Sequence, residues 1–434
     1  MLRKTDKEIL AIALPAIASN ITTPLLGLAD AAITGHIGEA VFLAAIAVGG
    51  TMFNMLYWVL NFLRMGSGGL TAQAYGRGDM DAAATVLWRG LLLAYALGTA
   101  IIALSGSAGY AALRFLDADG ATASYAQRYF SIAVWGAPAV LASYVLTGWF
   151  LGMQNSRAPM WMALWTNVVN IAVSVGLVVG AGWKIEGVAT GTLVAQWAGV
   201  ALGLVLLRRY RPRAVALRRL VRGDGLRRYF SVNADIFLRT LCLVAVTVWF
   251  TRSGAQAGVV TLAANALLMQ LFMLFSFFMD GFAYAGEAIG GRCYGAADGA
   301  GLHTVVRTLL RWGAALALLF GAAYLAGGRL ILELLTDRRE VVADAMRYLP
   351  WAAAVPLAGV WAFVWDGIFI GMTRTRAMLA AMAAAMAVFF AAWTLTRAMG
   401  NHGLWLAFVL YLATRGAVEW ALYYRSSSNP GRRR

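Results

Sequence analysis

The sequence predicts an all-α polytopic membrane protein of about twelve transmembrane helices, arranged as two six-helix lobes related by pseudo-two-fold symmetry. Three observations predict it. The chain has 434 residues, of which 61% are hydrophobic and 13% charged, and its mean hydropathy is +0.69. Soluble proteins carry about 25% charged residues, so no water-facing surface can be built from this set. Apolar runs long enough to cross a bilayer core of about 30 Å, roughly 20 residues each, recur along the whole chain. The two halves also match each other at a constant offset. The same composition excludes a disordered chain, and two cysteines, Cys242 and Cys293, exclude a disulfide scaffold.

The first run, 9–34, follows Arg3 and Lys4 as a signal peptide would. It is too long for one, contains Pro15 and Pro24 and continues through Asp30, so it reads as a retained helix. The next runs lie at 41–64 and 84–108. Between them, Gly66-Ser-Gly68-Gly69 lacks the Lys-Ser/Thr of a phosphate loop and reads as close helix packing at the cytoplasmic end of the second span. Runs at 129–151, 158–181 and 186–207 complete an N-terminal lobe over residues 1–207. Residues 208–228 form a basic inter-lobe linker, opening with Arg208-Arg209-Tyr210-Arg211-Pro212-Arg213. A C-terminal lobe over 229–425 holds runs at 229–251, 258–286, 304–326, 348–370, 377–399 and 403–424, and 426–434 is a basic tail.

The net charge of +16 has a membrane explanation. With the N-terminus in the cytoplasm, alternating connections place 24 Lys and Arg inside and nine outside, with Arg64, Arg239 and Arg415 within spans. That asymmetry supports both termini in the cytoplasm of a plasma (inner) membrane and an even number of spans. No nucleic-acid partner is needed to explain the charge. The lipid bilayer is the expected surrounding.

The internal match holds ungapped at an offset of 219 over more than a hundred residues. Tyr75, Gly76 and Asp79 pair with Tyr294, Gly295 and Asp298. Gly148, Phe150, Gly152, Met153, Arg157 and Ala158 pair with Gly367, Phe369, Gly371, Met372, Arg376 and Ala377. An offset of six helices gives both halves one membrane orientation, which implies parallel repeats about an axis along the membrane normal. Two six-helix bundles with a cleft between them suit alternating access.

Three stretches of the first half stand out: Asn20-Ile-Thr-Thr-Pro-Leu-Leu-Gly-Leu-Ala-Asp30, Gly35-His36-Ile-Gly38 and Leu63-Arg-Met-Gly-Ser-Gly-Gly-Leu-Thr-Ala-Gln-Ala-Tyr-Gly76. Four follow in the second half: Asn233-Ala-Asp235-Ile-Phe-Leu-Arg239, Asp280-Gly-Phe-Ala-Tyr-Ala-Gly-Glu287, Asp366-Gly-Ile-Phe-Ile-Gly-Met-Thr-Arg374 and Gly400-Asn-His-Gly-Leu-Trp405. On these stretches together the chain resembles the multidrug and toxic compound extrusion (MATE) transporters, and within them the branch named after DNA-damage-inducible protein F. The resemblance implies twelve helices in two lobes around a central V-shaped cavity, and a secondary antiporter exporting amphipathic organic compounds against a proton or sodium gradient.

A charge at the bilayer centre costs about 2.5–3.5 kcal/mol on insertion scales, so an intramembrane ionisable group needs a partner or a function. Asp30 lies six residues after Pro24, which removes a backbone donor and bends a helix. Desolvation raises a buried carboxyl's proton affinity, which suits Asp30 to proton coupling; a helix cap is the alternative. The resemblance places the coupling carboxylate at Asp30. Asn20, Pro24, Asn170, Thr192 and Gln196 are the substrate-cavity candidates, with ordinary interhelical contact as the alternative. The family often carries a second carboxylate four residues after Asn170, where this chain has Ser174. That departure favours a proton over sodium as the coupling ion.

In the second half, Asp235 and Arg239 are spaced i, i+4, one turn apart on one face, as a mutual pair would be. Asp280 and Glu287, spaced i, i+7, suggest a wet cavity or Arg239 and Arg64 as partners. Asp366 has Arg374 or Arg376 as candidate partners. No metal-ligand spacing and no acid–base or nucleophile constellation occurs, so neither a metal, a cofactor nor an enzyme activity is expected. The leading expectation is a proton-coupled exporter of small organic molecules that works as a monomer. Its rivals are a sodium-coupled antiporter and a flippase for a lipid-linked precursor.

Overall fold

Inside a bilayer no water satisfies backbone amides, so an apolar run long enough to cross must close its own hydrogen bonds as a helix. The computed structural model describes residues 3–35, 40–115, 120–221 and 224–427, and among them there is no strand. Twelve long helices account for nearly all of these residues. They are α1 (Lys4–Gly35), α2 (Ala40–Leu60, continuing after Asn61 as Phe62–Gly76) and α3 (Met80–Phe115). Next come α4 (Gly120–Ala133, then through a 3-10 turn into Ala137–Gly152), α5 (Arg157–Val175, closed by a π turn) and α6 (Ile185–Leu207). After the linker follow α7 (Asp224–Gln256), α8 (Val259–Ala285, then a π turn into Gly291–Gly295) and α9 (Gly299–Leu335). The last three are α10 (Arg339–Gly371), α11 (Thr375–Thr396) and α12 (Asn401–Ser427).

Ten of the twelve described long helices are long and apolar enough to cross a membrane; α1 and α12 are not among these ten. Several outrun the apolar runs that announce them. α9 has 37 residues, because helical hydrogen bonding continues past the hydrocarbon boundary. Large apolar side chains stand on the outside, among them Leu104, Val179, Leu318, Leu325, Leu334 and Leu395. Large apolar side chains exposed along helices of this length are lipid-facing.

The chain divides into two compact units, Leu14–Asn233 on one hand and the first thirteen residues with Ala234–Arg434 on the other. In the first unit α4 packs along α2, α3 and α6, and α5 packs along α6. In the second, α10 packs along α8, α9 and α12, and α11 along α12. Each relation in one unit is therefore the other's, moved on by six helices.

The repeat extends to single backbone torsions. Gln154 and Thr373, 219 positions apart, are both left-handed, at φ 64° and 50°. So are Gly78 and Ala297, at 73° and 57°. The closing hydrogen bonds recur with them: Met153 N–H to Trp149 and Met372 N–H to Ile368, both at 2.9 Å. Asp79 and Asp298 each accept a backbone N–H three residues on, from Ala82 at 2.9 Å and Gly301 at 2.8 Å.

Candidate functional site

In the first unit the polar candidates gather on α5 and α6. Asn167, Asn170 and Ser174 are spaced i, i+3, i+7, so they share one face of α5. Asn170 and Ser174 are fully buried there. The approach of α6 is made possible by its small residues: a β-carbon at Gly191 would lie 2.0 Å from Ser174 Oγ, and one at Gly199 2.2 Å from Thr166 Oγ1. Small residues at such spacing let membrane helices approach closely. Across this seam Asn170 Nδ2 donates to Thr192 Oγ1 at 3.1 Å. Asn167 Nδ2 donates to the Thr22 carbonyl of α1 at 3.2 Å, two residues before Pro24.

Three buried polar atoms in this neighbourhood have no hydrogen-bond partner: Asn170 Oδ1, Ser174 Oγ and Gln196 Oε1. Gln196 lies against the 3-10 turn of α4, where a β-carbon at Gly136 would sit 1.6 Å from Gln196 Oε1. Such groups cost free energy when left dry, so this is where polar chemistry has been placed and left open. Asn20 and Pro24 lie within α1 and Asn20 is half-buried. The side chains of Pro24 and Asp30 are outside the described residues, as are His36 and Gly38.

In the second unit the intramembrane charges converge on α10. Asp366 forms ion pairs with Arg239 of α7 and Arg415 of α12, and both guanidiniums meet the same carboxylate oxygen. All three residues are buried. Where the sequence offered Arg374 or Arg376 to Asp366, the fold supplies Arg239 and Arg415. Arg239 is thus engaged by Asp366, and its i−4 neighbour Asp235 accepts from Thr375 Oγ1 of α11 at 2.7 Å. Glu287 sits within the π turn of α8 and is 1% exposed. Asp280 is half-buried on α8. Breaking a buried ion pair by removing one partner typically costs 3–5 kcal/mol, so the Asp366 pairs hold α7, α10 and α12 together.

Sequence reasoning did not single out Arg415 or its neighbour Glu419 as site residues. Glu419 is 0% exposed and one turn from Arg415. The available signal was two opposite charges, i and i+4, inside an apolar run. Spacing alone does not distinguish a solvated pair at a helix end from a buried one.

The start of α1 is held by a separate set of charges. Asp6 is buried and accepts from Trp312 Nε1 at 3.1 Å, from its own Arg3 N–H at 2.9 Å and from Arg311. Glu8 pairs with Arg292 at 2.6 Å. Burial alone would raise the Asp6 pKa, but the Trp312, Arg3 and Arg311 bonds outweigh it and hold the carboxyl below its ordinary value. Among the described residues no group of three His, Cys, Asp or Glu side chains could hold a metal ion.

Comparison with known proteins gives a consistent neighbourhood. The sequence pattern of the family described as MatE matches residues 15–175 and again 235–393. The chain is 40% identical to DNA damage-inducible protein F of Escherichia coli K12, over 98% of this chain and 94% of that one. It is 23% identical to multidrug resistance protein MdtK of Edwardsiella ictaluri, over 96% of this chain and 95% of that one. Among solved structures, an outward-facing multidrug resistance MATE transporter superposes with a TM-score of 0.88 at 18% identity, covering 98% and 96% of the two chains. A transporter of the MOP superfamily from Pyrococcus furiosus, described as having a binding pocket of reversed polarity, superposes at 0.84 and 17% identity. At these identities the structural likeness concerns the fold.

Proposed function

The chain belongs to the MatE family of multidrug efflux transporters, and from that premise we propose a proton-coupled secondary antiporter that exports amphipathic organic compounds by alternating access. The observation that carries the proposal is the bond from Asn167 to the Thr22 carbonyl. It ties the polar face of α5 to α1 beside Pro24, whose ring nitrogen carries no N–H to donate within the helix. In this proposal Pro24 is the hinge at which α1 takes two arrangements, since proline interrupts the helical hydrogen bonding there.

Asp30 lies six residues farther along α1 and is the coupling carboxylate. Protonated, it is neutral and fits an apolar surrounding; ionised, it demands polar partners. Its proton therefore selects between the two arrangements of α1. The unpartnered atoms of Asn170, Ser174 and Gln196 provide hydrogen-bonding capacity for a polar portion of the exported molecule, with Thr192 as their neighbour. Ser174 in place of a second carboxylate supports a proton rather than sodium. The 24-to-9 distribution of basic residues supports both termini in the cytoplasm of the inner membrane, and the monomer suffices as the working unit.

Transport in proteoliposomes tests this directly. A fluorescent organic cation is followed under an imposed proton gradient, and separately under a sodium gradient, for wild type and Asp30→Asn. Export driven by protons and lost in the folded variant is the expected result. Proton-driven export retained by Asp30→Asn removes Asp30 from the mechanism. Export driven by sodium alone overturns the coupling ion, and no export under either gradient shifts the reading to a lipid-linked substrate.

A further inference from the structure

Glu419 has no part in the mechanism above, yet its surroundings are unusual. It lies on α12 one turn beyond Arg415 and is wholly buried. Neither of its carboxylate oxygens has a hydrogen-bond partner. Arg239 and Arg415 each direct an Nη2 to one oxygen of Asp366, and neither donates to Glu419. A buried carboxylate without a donor is far costlier when ionised than when neutral.

The charges around it lead to the same conclusion. Two guanidiniums, Arg239 of α7 and Arg415 of α12, are matched by Asp366 of α10 and by Asp280 of α8, whose charge acts on Arg415. Glu419 interacts through space with both guanidiniums and is the surplus acid. The other titratable groups within about two turns of Glu419 on α12 are Tyr411, Tyr423, Tyr424 and Arg425, and Tyr411 Oη donates to Met382 Sδ of α11 at 3.1 Å. α11 packs along α12 and brings no ionisable side chain between Met378 and Thr396.

We propose that Glu419 is a proton-binding site of the second unit, neutral in the arrangement described here, and that its deprotonation draws Arg415 away from Asp366. The carboxyl O–H bond breaks and the proton passes to water. The new carboxylate then accepts from Arg415, whose Nε is buried without a partner and one turn away. Asp366 keeps Arg239. Proton occupancy would thus decide whether α12 is bonded to α10 or only within itself. The use of this switch in transport rests on the proton-coupled function proposed above; its protonation chemistry does not.

The test uses the purified full-length protein without substrate. Infrared difference spectra across a pH titration should show a carboxylic acid carbonyl band that disappears as pH rises. Glu419→Gln should remove that component, Glu419→Asp should move it, and Asp30→Asn should leave it in place. Glu419→Gln keeps the shape and the neutral state, so it should melt within about 3 °C of wild type, while Asp366→Asn should melt lower. Persistence of every band component in Glu419→Gln overturns the proposal. So does a Glu419→Gln variant that unfolds as readily as Asp366→Asn, since the ionised form would then be structural. Failure of proton-driven export with the band assignment intact would overturn the antiporter function alone.

Discussion

Gly367 of α10 lies so close to Ala283 of α8 that a β-carbon at 367 would sit 2.2 Å from the Ala283 carbonyl oxygen. In the other unit Gly148 stands in the same relation to Arg64, at 2.1 Å. The obstacle is backbone in both cases, so no rotamer change relieves it. Gly367→Ala must separate two packed helices, and overpacking of this kind costs about 1–3 kcal/mol. Its melting temperature should fall clearly. Gly327→Ala on α9 is the control, since nothing lies within 4 Å of its would-be β-carbon; there alanine should gain up to about 1 kcal/mol from helix propensity. Equal melting of the two variants would show that the α8–α10 approach is looser than the described geometry.

That contact explains why so much of the fold is visible in the sequence. A backbone-to-backbone approach tolerates only glycine, so Gly148 and Gly367 stand as a matched pair 219 positions apart, and the residues they meet, Arg64 and Ala283, are 219 apart as well. The twelve spans are legible for a related reason: a bilayer leaves no alternative to a long apolar run. The charge cluster was much less legible. Asp235 and Arg239 are one turn apart and suggest each other, but the fold gives them Thr375 and Asp366. Those partners arrive from α11 and α10, more than a hundred residues later, and helical spacing carries no information about such meetings. Glu419 shows the same limit, because burial at a helix crossing depends on what the other helices bring to it.

The bond between Asn170 and Thr192 separates a structural role from a transport role. Interhelical hydrogen bonds in membranes average only about 0.6 kcal/mol. Asn170→Leu removes this bond and the unpartnered Oδ1 together, so its melting temperature should change little. Export should fall about tenfold or more, equivalent to ~1.4 kcal/mol on the rate-limiting step, because the cavity loses a polar anchor. Parallel loss of stability and export would instead assign Asn170 to packing between α5 and α6.

Asp6 makes stability at the start of α1 depend on pH in a defined direction. Its carboxyl is held below the ordinary value of 3.8 by Trp312, Arg3 and Arg311, despite its burial. A folded-state pKa below the unfolded one means that the folded state favours the ionised carboxylate. The contribution is therefore fully present above 3.8 and is lost as pH falls through the lower folded value. Asp6→Asn should melt below wild type at neutral pH, since the asparagine amide cannot replace the charge facing Arg311. Acidification should then narrow the gap, because wild type loses the same charge by protonation. Melting curves of both proteins from neutral pH downward check this. A gap that stays constant or widens in acid would mean that the Asp6 carboxyl is neutral in the folded protein, and that the start of α1 is held by Glu8 and Arg292 instead.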